Sequence, residues 1–144
     1  MKETTINQFI KKLITATGST PEQLVTDIPN TSVWTFRKEG DTRIDIIKTI
    51  ASILYQQKGL ILNIVIDGQK IPFEDFNYKL FHLMNNKGLS VRQMAERMGI
   101  SHNTLRSRLG RSSCTMSQLK QHFDALGIEM VFEINDVKYK ISKI

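Results

Sequence analysis

Apolar residues recur along this chain with two different periods. Ile6, Phe9, Ile10, Leu13 and Ile14 keep helical spacing, and so do Phe76, Leu80, Leu83 and Met84 in the second half. Each stripe stops at a glycine, Gly18 or Gly88, where a helix C-cap belongs. Thr20 before Pro21, and Ser90 before Val91, are placed as N-caps of a second short helix running to about Ile28 and Met98. A third helix is predicted at about 31–38 and 102–109, and a fourth at about 44–58 and 115–126. The period then shortens to two. Met130, Phe132 and Ile134 alternate with Glu129, Val131 and Glu133, and Asn135-Asp136 can supply a two-residue turn with positive φ. That register sets Glu133 opposite Lys138 and Phe132 opposite Tyr139. In the first half, 60–66 is almost wholly apolar, Asp67-Gly68 makes the turn, and Pro72 makes the return strand short or an edge. A strand apolar on both faces asks for cover on both. The chain's own helices should supply one layer and the other half of the molecule the second.

The two halves of the pattern are copies. At an offset of 70, Ile10 meets Leu80, Leu13 meets Leu83, Gly18 meets Gly88, Thr20 meets Ser90 and Gln23 meets Gln93. Beyond Gly40 and Gly110 the offset is 68: Gly59 meets Gly127, Ile64 meets Phe132 and Asp67 meets Asn135. The order of matches, with one small indel, indicates tandem duplication.

Within the second copy, 91–109 has a particular economy. Ala95 is small where two helices must cross closely, and Gly99, four residues on, tolerates the positive φ of a tight turn. Met94, Met98, Ile100 and Leu105 make one apolar face, and Ser101 can cap the following helix. This spacing resembles the helix-turn-helix of the lambda-repressor and Cro-like family of phage and bacterial regulators. The resemblance covers about 76–128, including 119–127, which is similar to the helix that follows the motif in that family. Val91 stands where many members have glutamine, and a hairpin replaces the usual fifth helix. The expected fold is mainly α with short β-hairpins: two tandem helix-turn-helix repeats, 1–72 and 73–144, each of four helices and a hairpin.

The resemblance implies a recognition helix in the major groove of double-stranded DNA, with His102, Asn103, Arg106 and Ser107 outward toward base edges. Ser90, Arg92, Arg108, Arg111, Ser112 and Ser113 are the implied phosphate contacts. The first copy departs from the motif, with Val25 for the alanine, Pro29 for the glycine and Asn30 at an apolar position. Ser32, Thr35, Arg37 and Lys38 are its candidate second reader, and Trp34 is read as core.

Charge supports this division. Residues 1–70 carry 9 basic and 7 acidic side chains, whereas 71–144 carry 11 and 7. From Arg97 through Phe123 there is no Asp or Glu, while Arg97, Arg106, Arg108, Arg111 and Lys120 are basic. Other chemistry finds no pattern. His82, His102, His122 and Cys114 lack the paired spacing of a zinc site, so no metal or cofactor is expected. No phosphate-cradling glycine loop, nucleophile elbow or paired catalytic carboxylates are present, and an enzyme is not expected. A single cysteine and the absence of a long apolar run fit a cytoplasmic protein without a membrane partner. The expectation is a sequence-specific transcriptional regulator, with a homodimer as a candidate assembly. The alternatives are a plasmid or phage replication, partition or recombination accessory factor, and a protein-interaction adaptor using the same fold.

Overall fold

Thr5 sets the first helix boundary in the computed structural model, which describes residues 1–28, 42–111 and 113–143. Its hydroxyl accepts from the Gln8 backbone N–H at 3.1 Å, while the Gln8 side chain accepts from the Thr5 N–H at 3.2 Å. This reciprocal cap satisfies two otherwise orphaned donors. Strand β1 (Lys2–Thr5) runs directly into α1 (Ile6–Thr17), and α2 (Pro21–Asp27) follows after a second capping box at Thr20. Next come α3 (Ile44–Lys58), the hairpin β2 (Leu62–Ile66) and β3 (Gln69–Pro72), and a 3-10 turn at Phe73–Asp75. The second half supplies α4 (Leu80–Asn86), α5 (Val91–Met98), α6 (His102–Arg108) and α7 (Met116–Leu126), then the hairpin β4 (Val131–Ile134) and β5 (Val137–Lys143). The helix expected at 31–38, Trp34, and the candidate readers Ser32, Thr35, Arg37 and Lys38 lie outside the described residues, as does Ser112.

Among the described residues the fold is mixed α/β, with seven helices and one five-stranded sheet in the order β1-β5-β4-β2-β3. The two hairpins meet as predicted, in a way the pattern did not specify. β2 and β4 pair antiparallel at their edges, with Leu62 opposite Ile134, Ile64 opposite Phe132 and Val65 opposite Val131. The other half therefore joins β2 through its backbone instead of covering its second face. Leu62 and Ile64 are buried, while Val65 and Ile66 remain half-buried. Pairing satisfies a row of N–H and C=O groups that a bare edge would leave open.

Helices cover one face of the sheet. Phe132 lies fully buried there, with Phe9 of α1 stacked on it at 4.6 Å and Phe73 edge-on at 5.4 Å. One continuous buried cluster runs from these rings through both halves to Met94, Leu105 and Phe123. Both turns have left-handed pairs, Asp67 and Gly68 at φ 50° and 81°, Asn135 and Asp136 at 51° and 64°. They supply the hairpin twist that the sequence predicted.

One expectation is corrected, and two features appear that the sequence did not announce. Phe76 does not open a helix: it closes the 3-10 turn and stacks on Phe73, and α4 begins only at Leu80. β1, absent from the sequence reading, pairs parallel with β5 and makes the sheet's far edge. Glu133 does face Lys138 in the ladder, yet its buried carboxylate finds other partners. It accepts from the Asn63 side chain at 2.9 Å and from the Asp136 backbone at 2.8 Å, and Lys70 approaches to 3.6 Å. Asn63 and Lys70 come from β2 and β3, which a reading of one hairpin could not supply.

Burial pushes the Glu133 carboxyl up, but the Asn63 and Asp136 hydrogen bonds and the Lys70 charge outweigh it and hold the group below the ordinary carboxylate range. A depressed carboxylate stabilises the fold above its unfolded-state pKa, and that contribution disappears as pH falls through the folded-state value. Glu133→Gln should therefore cost about 1–3 kcal/mol at neutral pH. In urea titrations the gap to the parent protein should narrow on acidification to about pH 3, where carboxylates protonate. A gap constant with pH would show that the charge contributes nothing.

Candidate nucleic-acid interface

Helix α5 starts at Ser90, whose hydroxyl accepts from the Gln93 N–H at 3.2 Å while Gln93 accepts from the Ser90 N–H at 2.9 Å. Met94 and Ala95 face inward, and Arg92, Gln93, Glu96 and Arg97 face solvent. The helix stops at Gly99, φ 67°, and the Ile100 N–H folds back onto the Ala95 carbonyl at 3.1 Å. Side chains larger than glycine are strained at that φ, so the turn between α5 and α6 rests on this residue. Ser101 then caps α6, accepting from the Thr104 N–H at 3.1 Å.

Leu105 is completely buried and fixes which side of α6 faces the core. Asn103, Arg106 and Ser107 are exposed, and their i, i+3, i+4 spacing places them on one outward face. His102 is half-buried at its margin. The Ser107 hydroxyl donates to its own helix at the Thr104 carbonyl, 2.8 Å away, leaving only its lone pairs outward.

The basic stretch divides by partner. Arg97 donates to the Ala125 carbonyl at 3.0 Å and ties α5 to α7. Lys120 is buried and pairs with Asp124 one helical turn on, so it is not an outward cation. Arg108 is half-buried, whereas Arg92, Arg106 and Arg111 are exposed. Ser113, expected at a phosphate, donates its single hydroxyl proton to Asp45 at 2.5 Å and accepts from Arg43 at 3.4 Å. Burial raises the Asp45 carboxyl, but Ser113, its own backbone N–H and Arg43 outweigh this and keep it below the ordinary range. A carboxylate at that position repels an anion, which sets Ser113 apart from the other phosphate candidates.

The segment after α6 is locked to the first half. Ile44 donates its N–H to the Cys114 carbonyl at 2.9 Å, and Met116 donates to the Thr42 carbonyl at 2.8 Å. Below it, Tyr78 and His122 are buried and share a hydrogen bond of 2.6 Å, with rings stacked 5.9 Å apart. Burial, aided by the Arg108 charge, lowers the His122 pKa to about 4, so the imidazole is neutral. Burial likewise pushes the Cys114 thiol up to about 11, which leaves it protonated and a poor nucleophile at neutral pH. The sequence reading missed this cluster. Its only local signal is a histidine within the apolar stripe Leu119, Phe123 and Leu126 of α7.

Among the described residues no three His, Cys, Asp or Glu side chains gather to hold a metal, and no helix is long and apolar enough to cross a membrane. No protein-family model, no curated protein and no solved structure matches the chain.

Tyr78→Phe removes a hydroxyl and leaves the His122 Nδ1 without that partner in a buried site. The change should cost about 1–3 kcal/mol, read as a lower urea midpoint at unchanged slope. An unchanged midpoint would mean that the pair adds nothing to the stability of the fold.

Proposed function

We propose that this chain is a non-enzymatic, sequence-specific transcriptional regulator of double-stranded DNA, of bacterial or phage type and acting in the cytoplasm. On this reading it comprises two tandem helix-turn-helix units, 1–72 and 73–144, of which the second is the principal reader. One observation carries the proposal. Helix α6 turns Asn103, Arg106 and Ser107 outward together, while Leu105 anchors its other side in the core.

The residue types suit base edges. Asparagine can pair bidentately with adenine and arginine with guanine in the major groove. His102 flanks them at the start of the helix. Arg92 at the N-terminal turn of α5 and Arg111 beyond α6 bracket the reader as phosphate contacts, with the exposed Ser90 beside Arg92. Arg108, half-buried, supports this end of the helix and adds its charge to the same field. The lack of any acid from Arg97 through Phe123 supports an anionic partner.

Base and phosphate roles separate experimentally. Asn103→Ala and Arg106→Ala should each weaken binding to the preferred duplex by about 1–3 kcal/mol and erode preference over random sequence. Arg111→Ala should weaken all duplexes alike and flatten the slope of log K against log salt by about 1. The slope for Asn103→Ala should stay near that of the parent protein. If Arg111→Ala alters preference and leaves the slope alone, α6 does not lie in the groove as proposed.

A further inference from the structure

A homodimer is the usual way for a short reading helix to gain a second half-site. The described residues place the equivalent of that contact inside one chain. Residues at offset 68 are copies of each other, and β2 pairs with β4 such that Ile64 faces its own copy, Phe132. Around that pair, Val65 opposite Val131 and Asn63 opposite Glu133 exchange places, which is the signature of a local two-fold axis through the ladder. A second contact between the halves occurs where α3 and α7 begin, at offset 72 and so not between residues that are copies at offset 68. Arg43 and Thr115 form an antiparallel bridge, and each strand of it donates one N–H to the other. The hairpins thus meet as the subunits of a symmetric dimer do, and the bridge between the helix starts ties the halves at a second place.

The free edges of the sheet are poorly suited to a further copy. β3 has four residues and carries Lys70 and Pro72, and β1 has four with Lys2 and Glu3. Charge and proline blunt an edge against strand addition.

The symmetry is broken in charge. At offset 70 the exposed Arg92 of α5 corresponds to the exposed Glu22 of α2, and Arg97 corresponds to Asp27. A body with a two-fold axis aligned on a duplex brings equivalent residues to equivalent phosphates. Equivalent positions thus carry side chains of opposite charge type, so the two halves are not equivalent toward an anion.

We infer that a single chain is the complete DNA-binding unit and that its target is not a palindrome. The inference rests on the DNA-binding reading above and specifies its ligand: one duplex with two unlike halves, gripped on the side of the second repeat. The test is selection of bound sequences from random duplexes by the full chain, followed by sedimentation of the chain alone and with the selected duplex. The expected results are a 16.5 kDa species alone, one chain per duplex, and a motif without inverted repetition. Two chains per duplex, or a motif of two equal inverted halves, would overturn the inference and leave DNA binding standing. Failure to retain any duplex would instead remove the DNA-binding reading, and this inference with it.

Discussion

The backbone ladder between β2 and β4 is the contact on which the rest of the molecule depends. A two-stranded hairpin is marginal in water, and each half of this chain has one. Laid edge to edge they become the centre of a five-stranded sheet, and each inner strand gives up an open row of donors and acceptors. The joined sheet creates the floor on which Phe9 and Phe73 close over Phe132. It also places Asn63 and Lys70 of one half within reach of Glu133 of the other. The contacts of Phe9 with Phe132 and of Asn63 and Lys70 with Glu133 cross between the two halves of the chain. Separating the halves would expose the aromatic cluster and strand a buried carboxylate, so each half depends on the other.

That ladder acts together with the bridge between Arg43 and Thr115. One contact alone would leave the halves free to rotate about it, whereas two separated contacts fix their relation. The fixed relation extends to α6, because the segment that follows it is hydrogen-bonded to the first half through Cys114 and Ser113. The proposed reading helix is therefore aimed by the whole chain. Its own seven residues contribute one completely buried anchor, Leu105, and Ser101 before them supplies the cap.

What could be learned from the sequence divides along the distance over which each feature acts. The caps at Thr20 and Ser90, the turn at Gly99 and the hairpin turns depend on residues within about one helical turn, and their side-chain chemistry announces them. The outward face of α6 was legible for the same reason, since Leu105 declares which side is inside. Partners remote in the chain were not legible. β1 pairs with β5 from the opposite end of the sequence, and Tyr78 meets His122 across 44 positions. The charge pattern misled in the same way. Arg97, Lys120 and Ser113 look available for DNA until the Ala125 carbonyl, Asp124 and Asp45 are seen to occupy them. The exposed cations that remain around the reader, Arg92, Arg106 and Arg111, are fewer than the sequence suggested and better placed.

On the DNA-binding proposal, a duplex lies against α6 and the N-terminal turn of α5. Amide hydrogen exchange of the full chain, with and without a mixed-sequence duplex at about 50 mM salt, where non-specific association is strong, tests it directly. The expected result is slowed exchange confined to 90–92 and 101–111, with the sheet amides unchanged. Unchanged exchange throughout, or protection centred on the strands that carry Lys70 and Lys138, would contradict it.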